Sequence, residues 1–369
     1  MKVAIVTSYN SHKPAGLERV FLEQVRALDK ISSKENAEYV VYTGPKSDLN
    51  KVFEREGINK IPVIKLRGGR LWKEIGLFFA PKADAYFFNG PLAPLFFAPK
   101  NYFVLVYDFA YRYFTDGSLR QKIKNKWTDF VSSLAFNRAK KIVAISGATK
   151  EDVCRLFNVN KDKITTIYLG LNKMNIVDSE SVVGISSPYF LFIGTLKERK
   201  NVLNVVKAYA LFKKQTTYPH KLVIVGKRGN GSVYIDKIDK VIEDESLLSE
   251  VVFTDHVSDR QVSYLYKNAA ALVFPTLLEG FGMPLLEAMS CDVPVITSNV
   301  SSLGEVADDA ALLVNPFDVG QIAQAMERLV DDRNLVADLI QKGRERIMHF
   351  SWDKAAVEYN SFFNKFTEL

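Results

Sequence analysis

Two cysteines and four histidines among 369 residues leave little with which to close a disulfide or hold a metal. Cys154 and Cys291 lie far apart with no ligand pattern around them, which suits a reducing cytoplasm. No histidine is spaced as zinc ligands are. No apolar run approaches the ~18 residues that announce a membrane-spanning helix, and there is no low-complexity tract. The opening MKVAIVTSYN has its apolar stretch cut short by polar residues, so it reads as a first strand and not as a secretion signal. The glycine fingerprint of dinucleotide sites, G-x-G-x-x-G, is missing after that strand, where SYNSHKPAGLERV holds the single Gly16. That argues against a nicotinamide dehydrogenase.

What is there belongs to a globular chain long enough for two domains, each able to bury its own core: 47% of residues are hydrophobic and 25% charged. Residues 1–175 carry 29 Lys+Arg against 16 Asp+Glu, and the remainder 20 against 26. The net +7 therefore hides a basic front half and a mildly acidic back half. A basic half points to nucleic acid or to an anionic membrane surface. No nucleic-acid module is visible and the cations are scattered, so nucleic acid is not expected as a partner.

Apolar runs alternate with longer helix-like segments, the pattern of a parallel α/β sheet. Strands are expected at 3–8, 39–44, 85–90, 102–108, 141–146 and 164–170, then at 189–195, 221–226, 251–257, 271–276, 294–299 and 311–316. Many are continuous β-branched or aromatic runs, as strands buried on both faces should be. The periodicity lapses near 173–185, the expected linker. The domains it separates are 1–172, rejoined by a C-terminal helix at about 351–369, and 186–350. In that last helix Trp352, Ala356, Tyr359 and Phe363 fall at helical spacing.

Ligands of such sheets bind beyond the carboxyl ends of strands. Two neighbouring exits are rich in cations: Lys197, Arg199 and Lys200 in KERKN, and Lys227 with Arg228 after Gly226. Together they suit a diphosphate; singly, each reads as a solvated rim. In PTLLEGFGMPLLEAMSCDVPV, Pro284 suits the first turn of a helix that carries Glu287, and Glu279 precedes it in the loop. Gly280 and Gly282 let that loop bring N–H groups to an anion, and two carboxylates can grip two sets of hydroxyls. The plain alternative is a loop charge and a helix-dipole partner.

EGFGMPLLE resembles the E-x7-E signature of retaining glycosyltransferases of family 4, which have the GT-B fold. FIGTLKERKN, IVGKRG, FTDHVSDRQVSYLYKNA, the long stretch 273–306 and FSWDKAA extend the resemblance; Ala15-Gly16 stands where the family has Gly-Gly. The resemblance implies an α/β chain of two Rossmann-like, doubly wound domains facing each other across a cleft. It implies a metal-independent hexosyltransferase that needs no cofactor and takes a nucleotide-sugar donor. On it, Glu287 holds ribose hydroxyls, Glu279 the donor sugar, and the N–H groups of Phe281, Gly282 and Met283, ahead of Pro284 and Leu285, face sugar and phosphate. Lys200 and Arg199 neutralise the diphosphate, Gly16 with Ala15 closes over it, Gly194, Thr195 and Lys227 border it, and His256-Val257 meets the base.

One departure is Tyr107-Asp108, where the family often has His-Asp near the donor sugar's O6. It implies a 6-deoxy or altered sugar as a further donor beside mannose; GDP-mannose is favoured and UDP- and dTDP-sugars stay open. Asp108 reads equally as a cap for the next helix. The expected acceptor is a lipid-linked saccharide, in bacterial polysaccharide or lipopolysaccharide O-antigen synthesis. Arg120, Lys122, Lys124 and Lys126 beside Trp127 and Phe130 suggest an interface-seeking helix, hence a cytoplasmic protein peripheral to the inner membrane face. Another GT-B enzyme, a phosphorylase or epimerase, and a non-catalytic basic binder are the alternatives.

Overall fold

A computed structural model describes residues 1–9, 16–32, 37–115, 117–171, 174, 179–186, 188–228, 232–254 and 257–367. The chain forms two compact units, Met1–Gly170 with Phe350–Leu369, and Leu171–His349.

The first unit holds β1 (Lys2–Val6), β2 (Glu38–Thr43), β3 (Val63–Lys65), β4 (Ala85–Phe88), β5 (Tyr102–Val106), β6 (Lys141–Ala144) and β7 (Ile164–Thr166). They pair in parallel in the order 3-2-1-4-5-6-7. The second unit holds β8 (Tyr189–Ile193), β9 (Lys221–Val225), β10 (Val251–Thr254), β11 (Ala271–Phe274), β12 (Val295–Ser298) and β13 (Leu312–Val314), in the order 10-9-8-11-12-13. Each sheet therefore reverses its winding beside its own first strand, between β1 and β4 and between β8 and β11. Loops leaving the two strands at such a reversal diverge and open a crevice, which is where ligands of these sheets bind.

All twelve expected strands are present, each shorter at its carboxyl end than the apolar run suggested. Tyr107 and Asp108, for instance, close the expected strand 102–108 but lie in the loop beyond Val106. The strand β3 was not expected. It is three residues long, follows Pro62, and is only half buried, so it has no apolar run to announce it.

The C-terminal helix Trp352–Thr367 packs on the first sheet, with Phe363 against Phe87 and Phe103 and Tyr359 against Phe87. Its apolar positions recur every three or four residues, so one stripe is buried. Burying a ring such as Phe363 contributes roughly 2 kcal/mol. Asn360, on the same stripe, accepts the Tyr39 hydroxyl proton at 2.9 Å. Of the expected linker, residues 173 and 175–178 lie outside the described residues; Glu180 donates its N–H to the Arg260 carbonyl at 3.2 Å.

Candidate active site

The loop leaving β8 makes one tight turn, Glu198–Lys200, before the helix Val202–Gln215 begins. Asn201 joins them in a left-handed conformation, φ 61°. Asparagine is among the few side-chain residues that tolerate this. Its amide donates to the Pro275 carbonyl at 2.9 Å and to the Pro316 carbonyl at 2.7 Å, tying the exit of β8 to those of β11 and β13. Leu277 N–H donates to the Arg199 carbonyl at 2.8 Å. The two loops of the second crevice are thus one hydrogen-bonded unit.

That unit brings three predicted residues together. Lys200, only 8% exposed, places its ammonium on Glu279 Oε1 and 5.0 Å from the centre of the Phe274 ring. Arg199 Nη1 lies 3.5 Å from Glu279 Oε2 and donates to the Leu278 carbonyl at 3.2 Å. A buried ammonium without a counter-charge is costly, so Glu279 stabilises Lys200 in place. Among the described residues this cluster has two cations and one carboxylate, an excess of positive charge suited to an anion.

The main chain of Glu279 is held from β12. Ser301 Oγ donates to the Glu279 carbonyl at 2.5 Å, and Ser302 Oγ lies 2.9 Å from the carbonyls of both Glu279 and Phe281. The helix Met283–Ser290 then starts from Gly282 at φ 109°, with Pro284 in its first turn as expected. A Cβ on Gly282 would also come within 2.7 Å of Leu303 Cδ2, so the position needs glycine on two counts.

Glu287 is half-buried in the second turn of this helix, and the Tyr266 hydroxyl donates to its Oε2 at 2.9 Å. Burial, reinforced by the Glu287 carboxylate, drives the Tyr266 hydroxyl well above its ordinary pKa, so it remains a donor at any neutral pH. A hydrogen bond to a charged group is worth roughly 1.5–3 kcal/mol. Tyr266→Phe is accordingly expected to raise the KM of a substrate held by Glu287 about tenfold at little cost in kcat. An unchanged KM would mean that Glu287 needs no such positioning.

The remaining predicted residues fall into four groups. Gly194, Thr195, Lys227 and Val257 lie at the exits of β8, β9 and β10, with Thr195 and Lys227 exposed. A Cβ on Gly226 would sit 2.0 Å from the Gly194 carbonyl, which fixes how closely β8 and β9 leave the sheet. Phe281 and Leu285 bury their side chains, and the Leu285 N–H donates to the Gly282 carbonyl. Leu285 therefore helps build the start of that helix. Arg228, expected in the diphosphate clamp with Lys227, is instead paired with Asp239 and stacked 4.7 Å from the Phe253 ring. Ala15 and His256 lie outside the described residues.

Gly16, Tyr107 and Asp108 belong to the first unit. Gly16 has φ 57° and opens the helix Leu17–Ile31. Tyr107 is 8% exposed and donates its hydroxyl proton to Asn89 Oδ1 at 2.5 Å, so that proton is committed inside the protein. Asp108 Oδ1 accepts the Ala110 N–H at 3.0 Å, although the N-cap position of that four-residue helix belongs to Phe109. Asn201, Tyr266, Ser301 and Ser302 escaped the sequence reading as site residues, although Asn201 stands within KERKN.

Two parallel, doubly wound units, one with a cation–carboxylate cluster at its reversal, have the GT-B architecture. Residues 180–346 match the family described as glycosyl transferases group 1. It is 32% identical over 232 residues to O-antigen chain mannosyltransferase B of Escherichia coli, covering 61% of this chain and 60% of that protein. It is 28% identical over 254 residues to O-antigen chain mannosyltransferase RfbU of Salmonella typhimurium, covering 69% and 67%. The match thus spans about 60% of the length of the first of these relatives. Among solved structures, HepE of Anabaena in complex with UDP and glucose superposes with a TM-score of 0.72 at 16% identity, covering 99% of each chain.

Proposed function

We propose that the protein is a retaining hexosyltransferase that moves a sugar, mannose first among candidates, from a nucleotide-diphosphate donor to a saccharide acceptor in O-antigen or related polysaccharide synthesis. The observation that carries this reading is the Lys200–Glu279–Arg199 cluster at the reversal of the second sheet. The relatives named as O-antigen mannosyltransferases support mannose as the sugar and O-antigen synthesis as the pathway. In the reaction, the bond from the sugar's C1 to the phosphate oxygen breaks as the acceptor oxygen bonds C1 on the same face. The acceptor's proton passes to the departing phosphate oxygen, and the nucleoside diphosphate leaves. Lys200 and Arg199 stabilise the charge that grows on it.

These two cations do the work a metal would otherwise do, so EDTA is expected to leave turnover unchanged. Melting curves with GDP-, UDP-, dTDP- and ADP-sugars test the donor, because a ligand of the native state raises the melting temperature. GDP-mannose is expected to give the largest rise; no rise with any of them would remove the reading.

The acceptor is proposed to be lipid-linked, with the first unit resting on an anionic membrane. No described helix is long and apolar enough to cross one. On the helix Leu119–Arg138, however, Leu119, Ile123, Trp127 and Phe130 form one stripe, each more than half exposed, among Arg120, Lys122, Lys124 and Lys126. Trp127, 57% exposed, does not pack this helix down. Such a basic, apolar face suits an interface. Sedimentation with anionic liposomes is expected at low salt and to weaken at high salt; a protein that stays in the supernatant at both would refute membrane contact.

A further inference from the structure

The helix Val202–Gln215 begins directly after the turn that carries Arg199 and Lys200. The first N–H groups of any helix must find acceptors outside its own ladder. An asparagine at the N-cap ordinarily supplies one through its side-chain oxygen. Asn201 does not: it makes no side-chain cap bond, and its amide donates away to the Pro275 and Pro316 carbonyls. Its main-chain carbonyl accepts the N–H groups of Asn204 and Val205, at 3.1 and 3.2 Å. Those of Val202 and Leu203 are left over.

A tyrosine from the next helix fills the gap. Tyr234 opens the first turn of the helix Val233–Asp244, and its hydroxyl oxygen accepts the Leu203 N–H at 3.0 Å, 31 positions away in sequence. Burial raises the pKa of this phenol; the Leu203 N–H opposes the rise, the Glu198 carboxylate adds to it, and the Val202 N–H opposes it again. The hydroxyl is therefore neutral at ordinary pH and lies among groups on both sides of Lys200 in the chain. Its helix is seated by Ile235 and Ile238, both buried. Two side chains thus hold the place where the turn becomes a helix. Asn201 ties it towards the exits of β11 and β13, and Tyr234 ties it to the helix that joins β9 to β10. Without the phenol oxygen the Leu203 N–H, three residues from Lys200, loses its acceptor, and the first turn must loosen to reach water.

We propose that Tyr234 is a positioning residue: through the first turn of the helix Val202–Gln215 it fixes the main chain from which Lys200 reaches its ligand. The inference rests on the transferase reading for what Lys200 does there. Tyr234 acts through Lys200 and not on the substrate itself, so its effect should fall on the step in which the Lys200 charge is used.

Tyr234→Phe in the full-length protein keeps the ring and removes only the hydroxyl. Hydrogen exchange at the Leu203 amide is expected to quicken about tenfold, as a lost hydrogen bond implies. Turnover should fall about tenfold in kcat with the donor KM within about twofold, because the charge that Lys200 meets is largest in the transition state. Ile242→Val, a core change in the last turn of the same helix, is the control: it should lower the melting temperature comparably and leave kcat within about twofold of the parent. In a Lys200→Ala background, Tyr234→Phe should lower kcat no more than about threefold, since the group it positions is gone. Unaltered Leu203 exchange, an unaltered kcat, the full tenfold loss in the Lys200→Ala background, or an equal loss of kcat in Ile242→Val would each overturn the proposal. If the parent gives neither turnover nor a melting shift with any nucleotide-sugar, the transferase reading falls by itself. The exchange of the Leu203 amide then decides on its own whether Tyr234 holds the turn.

Discussion

Lys200→Ala is expected to lower turnover about 100- to 1,000-fold, the usual cost of removing one preorganised donor from developing transition-state charge. The effect should appear in kcat more than in KM, because the charge on the leaving diphosphate is larger in the transition state than in the bound donor. Arg199 is half-buried and can reach the same region, so a residual rate should persist and vanish in the Arg199/Lys200 double variant. The protein itself should tolerate the change, since Glu279, left behind, still has Arg199 at 3.5 Å. Steady-state kinetics with the donor found by melting curves checks this; a rate within threefold of the parent would take Lys200 out of the mechanism.

Glu279→Ala is expected to act on stability as well as on activity. It leaves the ammonium of Lys200 almost buried with its carboxylate gone, and breaking a buried pair from one side costs about 3 kcal/mol. For a unit of this size that is a fall of roughly 6–12 °C in its melting temperature. The main-chain carbonyl of Glu279 keeps its bonds from Ser301 and Ser302, so the loop should not collapse. A nucleoside diphosphate should then restore more stability to the variant than to the parent, since its phosphate takes the place of the missing carboxylate. If the nucleotide raises both proteins equally, the cations are not aimed at the phosphate. If the variant melts like the parent, Glu279 does not stabilise Lys200.

Both expectations began in the sequence, in KERKN and EGFGMPLLE, which were legible as strand exits because the strands before them are unbroken apolar runs. Their partners were less legible. Tyr266 lies 21 positions before Glu287 on a different helix, and Ser301 and Ser302 lie more than 20 positions after Glu279. Nothing local in VSYLYKN or SNVSSLGEV distinguishes a site residue from a helix or cap residue. Arg228, cationic and at a strand exit, pairs with Asp239, a partner 11 positions on that its local sequence did not announce. Leu285, a motif position, has its side chain in the core, which its place in the motif did not reveal.

The alternation of strand and helix, the positions of all the strands but β3 and the location of the acidic and basic exits were decided by the sequence alone, because side-chain period and composition act over a few neighbouring residues. The order 10-9-8-11-12-13, and with it the meeting of the β8 and β11 exits, was decided only by the fold, because strands pair with partners tens of residues away. Which cation stays available to a ligand was decided there too, since a charge is spoken for by whichever carboxylate the packing brings within a few ångströms.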